Sequence, residues 1–368
     1  MAIYLITISI LFAFSVHELA SNNNKQKRLF LIFSYFLMVI LVGLRWETGT
    51  DWEPYLAEFE NSENFKEILF NSTRMEKGYL AINSLLYSIC PNYSVFLLLL
   101  SALMYFFYFK SFIKISKYPQ LVNLLLFSST LGSMGSNRQL LAGSIILYGI
   151  SHLANKKKLI FLISILASFL FHTTSLTASV FYFFNRKIKS WILYVSIFIA
   201  YLIGKTQLSL VIFAFFGNIN QYASEKTDAY LRGAQEELLY TDLSMAGVVK
   251  RLLFVFLFII LREKIEKKLD NYNLLLNGYI FGVIFYFLFS SSLIVMISRG
   301  SFYFNLMEPF LLVSIIYALK RGIDKLIYLF ILLALSIMLM YQSVAPYPDL
   351  FEPYKSIFFN TDFQRFMY

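Results

Sequence analysis

The segment Arg45-Trp46-Glu47-Thr48-Gly49-Thr50-Asp51 follows an apolar run, Leu29 to Leu44, long enough to be embedded in a membrane. Charge packed against the end of such a run is costly in lipid and persists where it faces a cavity or headgroups. A guanidinium near a carboxylate suggests two chemistries. Arg45 can grip an anion with a planar fork, and Asp51 can hold a hydroxyl or take its proton. Neighbouring arginines would keep Asp51 ionised, which suits holding as much as basicity; the bland alternative is a turn-organising Asp. Arg138 lies in Gly135-Ser136-Asn137-Arg138-Gln139, where small residues permit close approach and the N-terminus of the following helix adds a positive dipole end. With Arg251 and Arg299, these residues give four arginines at or near span ends. Singly, each can be read as reaching to headgroups; together they are read as a shared anion site.

Other residues extend the set. His172 ends a long apolar stretch and precedes Thr173-Thr174-Ser175. It reads either as a buried neutral histidine or as a catalytic or diphosphate-contacting imidazole. Glu76 opens Glu76-Lys77-Gly78-Tyr79 and reads either as a helix N-terminal charge or as a carboxylate positioning a hydroxyl. Trp46 and Trp52 suit stacking on a sugar face or anchoring at the interface. Glu308-Pro309 marks a kink with a carboxylate that an ion-coupled transporter could use. The three histidines and the single Cys90 lack metal-site spacing, so no metal and no cofactor is expected, and Cys90 has no internal disulfide partner.

The elements that must position these residues are membrane helices. Of 368 residues, 58% are apolar and only 15% charged, far from a soluble composition. The apolar runs do not alternate, which favours helices over barrel strands. Residues 3–20 carry no basic n-region and read as a retained span. The positive charge falls mostly in short loops: Lys25/Lys27/Arg28, Lys110/Lys114/Lys117, Lys156/Lys157/Lys158, Arg186/Lys187/Lys189, Arg262/Lys264/Lys267/Lys268 and Lys320/Arg321/Lys325. Such loops face the cytoplasm, so the charge reports topology and not nucleic acid. Lysine dominates them, whereas elsewhere arginine prevails, which leans toward phosphate recognition on the other side.

The expected fold is an all-α integral membrane protein, a polytopic bundle of about 12 spans with short or re-entrant helices around a cavity on the outer side. Residues 1–368 form one membrane domain, with outer loops at 45–78 and 217–245 and an outer tail at 342–368. Spans are expected near 3–20, 29–44, 94–113, 119–135, 139–154, 159–172, 174–184, 191–216, 246–262, 273–297, 300–319 and 326–341. The pair 159–172 and 174–184 reads as a hairpin turning at His172, or as one longer span. Residues 79–90 suggest a short re-entrant or interfacial helix. The rigid, aromatic tail from Tyr347 to Lys355 is expected to fold back over the outer cavity.

With these residues in place, the chain resembles the EpsG branch of the Wzy-type polysaccharide polymerases. The matching pieces, in order, are Gly43-Leu44-Arg45 through Gly49-Thr50-Asp51, Glu76-Lys77-Gly78-Tyr79, Asn137-Arg138-Gln139-Leu140-Leu141-Ala142, Leu166 to Thr173, Arg299 with Tyr303 and Phe304, and Pro353-Tyr354-Lys355-Ser356-Ile357. Trp46 departs from the smaller or tyrosine-like residue more usual there. The resemblance implies a metal-independent glycosyltransferase of the bacterial inner membrane, with its active site facing the periplasm. It would transfer a growing glycan from undecaprenyl diphosphate to a new lipid-linked repeat unit, in O-antigen or capsule synthesis. Arg45, Arg138, Arg299 and Arg251 would bind diphosphate, with Arg138 also catalytic. Asp51 or His172 would assist deprotonation of the acceptor, and Glu76, Tyr55, Tyr354 and Trp52 would orient sugar. Partners would be the lipid-linked oligosaccharides, the bilayer and a chain-length regulator. A lipid-linked-oligosaccharide flippase and an O-antigen ligase are the competing readings.

Overall fold

The computed structural model of the chain describes residues 1–62, 75–206, 208, 209, 211, 244–289 and 299–363. Most of the second outer loop expected from sequence, 217–243, and residues 63–74 of the first lie outside the described residues. The described residues are helical. In chain order they form α1 (Ala2–Ala20), α2 (Asn24–Gly43), α3 (Trp52–Glu60), α4 (Lys77–Ile89), α5 (Tyr93–Ile115), α6 (Pro119–Thr130), α7 (Asn137–Leu153), α8 (Lys158–Phe169), α9 (Ser190–Gly204), α10 (Met245–Glu266), α11 (Tyr272–Leu288), α12 (Phe302–Asn305), α13 (Glu308–Ser314) and α14 (Gly322–Val344). A 3-10 run, Thr173–Phe183, follows α8.

Among the described residues four helices (α1, α2, α5 and α14) are long and apolar enough to cross a membrane, and other apolar helices are shorter. The expected count of about twelve spans is not reached by helices of that length alone, and the expected spans 191–216 and 273–297 run into residues outside the description. α10 has 22 residues but carries Lys250 and Arg251. The stretch expected as one span at 300–319 is broken between α12 and α13, and Pro309 starts the second piece. The stretch at 159–184 likewise breaks after Phe169, and its second half is 3-10 rather than α-helical. Residues 79–90 are helical, as α4.

Two compact units result: Met1–Leu176 with Leu319–Tyr368, and Thr177–Ala318. In the first unit the short turns 21–23, 116–118 and 154–157 carry or adjoin the basic clusters, and sequence-local caps start the helices around them. Asn23 accepts from the N–H groups of Lys25 and Gln26, and Pro119 occupies the first turn of α6. Glu18, near the end of α1, is buried because its carboxylate accepts from the N–H groups of Gln120 and Leu121, capping α6 from a neighbouring helix. Hydroxyls inside the spans bond their own helix, as Ser15 does to Leu11 O and Ser128 to Leu124 O. Phe33, Phe36 and Ile40 on α2 point outward, the pattern of a lipid-contacting face.

Candidate active site

The opposite end of the first unit is a polar layer built from five separated segments. α2 closes at Gly43, where a Cβ would lie 2.8 Å from Leu98 Cα, so only glycine lets α2 and α5 approach this closely. The chain then runs beside the tail. Arg45 and Ser356 form a single antiparallel bridge, Trp46 N–H donates to Lys355 O at 3.0 Å, and Ile357 N–H donates to Leu44 O at 3.3 Å. Lys355 also pairs with Glu47 at 2.6 Å. Gly49 has φ +90°, and a Cβ on it would lie 2.5 Å from Gly135 Cα. The loop after α2 therefore lies directly on the turn before α7.

Arg45 is 2% exposed. Its guanidinium donates from Nη1 to Val42 O and from Nη2 to Asn137 Oδ1. Burial holds its pKa below the usual arginine value, an effect opposed by the nearby phenols of Tyr93, Tyr354, Tyr79 and Tyr105. Arg45 presents no surface to a diphosphate. It braces Asn137, the neighbour of Arg138.

Arg138, in the first turn of α7, is half-buried and central. Nη1 pairs with Glu76 Oε2 at 2.5 Å, and Nε donates to the Tyr55 hydroxyl at 3.2 Å. Tyr55 in turn donates to Asp51 Oδ2 at 3.4 Å. Asp51 precedes α3 but makes no side-chain cap to it, so its carboxylate serves this chain of hydrogen bonds instead. Burial raises the Tyr55 pKa, partly offset by Arg138, so the phenol remains a neutral donor. Glu76 Oε1 accepts from the N–H of Thr173 at 3.2 Å and from its hydroxyl at 3.4 Å. His172 is buried, and its Nδ1 meets Thr174 Oγ1 at 2.7 Å. Gly78 N–H donates to Leu170 O at 2.8 Å, fixing the break after α8 against the start of α4.

The structure thus joins Asp51, Tyr55, Glu76 and Arg138 in one hydrogen-bonded chain and brings Thr173, next to His172, onto Glu76. Chemically, this is a guanidinium held between two carboxylates, one direct and one through a phenol. A chain of the order carboxylate, phenol, guanidinium can bind an anion at its centre and a hydroxyl at its ends.

Other residues expected at the site have partners of their own. Trp52 is 3% exposed, edge-on to Trp46 and Tyr93, and offers no ring face to a sugar. Tyr354 is buried, donates to Leu41 O at 2.8 Å and packs edge-on to Tyr4. Arg251 and Arg299 belong to the second unit. Arg251 donates to Gly247 O and lies 3.7 Å from the Tyr286 ring centroid, while Arg299 is exposed. Next to Arg251, Lys250 pairs with Glu308 at 3.1 Å. Sequence reasoning gave no role to Asn137, Thr173 or Lys250. The first two adjoin residues it did select, and Lys250 is a lysine inside an apolar run, a signal that stood in plain view.

A family model, the EpsG family, matches residues 28–356, from the start of α2 to the tail residue that bridges Arg45. The chain belongs to the EpsG family. Members of this family are like the Wzy-type polymerases. No curated protein and no solved structure matches the chain. The family match and the long apolar helices together make it a multi-pass membrane protein. The matched region takes in Arg45, Asp51, Tyr55, Glu76, Arg138 and His172.

Proposed function

We propose that this EpsG-family protein is a polysaccharide polymerase that transfers a growing glycan from undecaprenyl diphosphate to a new lipid-linked repeat unit. The observation that carries the reading is the chain Asp51–Tyr55–Arg138–Glu76, set at the end of the first unit away from the basic turns. Basic turns favour the cytoplasm, so this end is assigned to the periplasmic face of the inner membrane.

In the reaction, the acceptor hydroxyl oxygen attacks the anomeric carbon of the growing glycan. The bond from that carbon to the diphosphate oxygen breaks, the hydroxyl proton passes to a base, and undecaprenyl diphosphate leaves. Arg138 is the guanidinium we assign to the departing diphosphate, where charge develops. In the resting protein Glu76 balances Arg138, and an arriving diphosphate competes for the same fork. Asp51, held by Tyr55, or His172 takes the proton. Arg45 supports this arrangement through Asn137. Holding two lipid-anchored reactants at one surface supplies orientation as a further part of the rate.

The test is direct. Purified protein mixed with lipid-linked repeat units should yield a ladder of lengthened glycans. Loss of the protein in cells should leave single repeat units at the surface. Absence of single units would point to a flippase, and long unattached lipid-linked polymer would point to a ligase.

A further inference from the structure

Arg138 meets two kinds of partner. Tyr55 is neutral: it accepts from Nε at 3.2 Å, and the guanidinium carbon lies 5.4 Å from its ring centroid. Glu76 is charged: its Oε2 pairs with Nη1 at 2.5 Å, so any anion that takes this nitrogen must displace the carboxylate.

The displaced carboxylate has nowhere far to go. Only 6% of the Glu76 side chain is exposed, against 22% for Arg138. Its second oxygen, Oε1, accepts from Thr173 N–H at 3.2 Å and from the Thr173 hydroxyl at 3.4 Å. Both of these donors are neutral, and neither depends on Arg138. Glu76 therefore stays beside the guanidinium when Oε2 is pushed off, as a tethered competitor at high effective concentration.

Such a competitor does not sharpen the choice among anions. It lowers the affinity of each by the same factor, set by the fraction of time the seat is open. What it changes is how firmly the site keeps what it has bound. Arg138 is assigned to charge that develops as the diphosphate departs, and the free product carries that charge in full. A guanidinium suited to the transition state would also hold the product, and product release limits turnover in many enzymes.

We propose that Glu76 is a product-release residue: its carboxylate, kept at hand by Thr173, retakes Arg138 and expels the diphosphate lipid after each transfer. The proposal rests on the polymerase reading for the identity of the product. The competition itself comes from the geometry of Arg138, Glu76 and Thr173.

Two measurements on the full chain in detergent test it: retention of undecaprenyl diphosphate in native mass spectrometry, and steady-state kinetics with lipid-linked repeat units. Glu76→Gln keeps an oxygen for Thr173 and removes the charge. It should bind undecaprenyl diphosphate about tenfold more tightly, the factor for a seat open about a tenth of the time in the wild type. Its kcat should fall, and its KM for the donor should fall with it. Thr173→Val loosens the tether and leaves the carboxylate. It should shift both readings in the same direction by a smaller factor, and it serves if Glu76→Gln fails to fold. A Glu76 that only holds the fold together would give weaker binding, with kcat lowered at an unchanged or higher KM. That result, or unchanged binding in the variants, would overturn the release role. The two readings fail separately. Tighter binding in the variants with no ladder from the wild type would defeat the polymerase assignment and leave the tethered competition standing. A wild-type ladder with no gain in binding would defeat the release role alone.

Discussion

Arg138 and Glu76 pair at 2.5 Å across 62 residues of chain, and through this pair the first turn of α7 is tied to the residue immediately before α4. Glu76 is further held by Thr173, so a single carboxylate gathers three segments around one guanidinium.

Removal of that guanidinium is the sharpest functional test. Arg138→Ala should abolish polymer while single-unit products persist. Arg138→Lys keeps the charge but loses the fork that serves Glu76 and Tyr55 together, and turnover should fall by roughly 10²-fold. Gel analysis of glycans made from purified lipid-linked units reads both, and normal-length polymer from the alanine variant would remove Arg138 from the site.

Tyr55→Phe severs the connection between Arg138 and Asp51 and leaves the ring packing on Tyr79 intact. Activity should drop by about tenfold or more, while stability changes by only about 1 kcal/mol, the usual worth of a hydrogen bond. Turnover and thermal unfolding measured on the same detergent-purified sample check this. A large stability loss with unaltered turnover per folded molecule would make Tyr55 a packing residue only.

Arg45 should behave in the opposite manner. Arg45→Ala empties a buried site and strands Asn137 Oδ1 and Val42 O, so it should cost about 3 kcal/mol or more of stability. Arg45→Met, which fills the space, should cost less. Folded protein recovered after heating is the measure, and a stable, inactive Arg45→Ala variant would return Arg45 to the list of diphosphate ligands.

Gly49→Ala meets two obstacles, a φ of +90° and a Cβ 2.5 Å from Gly135 Cα. About 1–3 kcal/mol of strain is expected, with loss of activity as the Asp51 loop lifts from α7. Limited proteolysis of the loop reports the lift directly, and unchanged cleavage together with full activity would contradict it.

The tail should give a pH signature. Burial pushes the Tyr354 hydroxyl from its usual 10 up to about 12. The folded protein therefore holds that proton more tightly than the unfolded chain. The resulting stability is complete below pH 10 and is lost as pH rises through about 12. Tyr354→Phe should remove this part of the alkaline slope, measured by denaturation in detergent across that range; an identical slope in wild type and variant would show that Tyr354 is not its source.

Some of this was legible in residue order. Apolar runs marked α1, α2, α5 and α14 to within a few residues, because burial in lipid depends on local composition alone. The short charged turns marked the ends of helices, and the Gly135-to-Gln139 turn pointed to close approach before its partner, Gly49, was known. Span counting went further than the helices bear out. Charges lie within α10, while the break expected near His172 falls between α8 and the 3-10 run and the kink expected at Pro309 falls at the start of α13.

The sequence by itself determined the membrane class, the basic end and the candidate polar residues, since these follow from hydropathy and charge read along a few neighbouring positions. The tertiary structure decided which of two similar arginines is accessible. Arg45 and Arg138 both adjoin helix ends, yet the bridge to Ser356 and the contact with Asn137 bury the first, while the second stays half-open between Glu76 and Tyr55. A side chain's accessibility and partners depend on segments far away in the chain, and only their packing against one another brings those segments together.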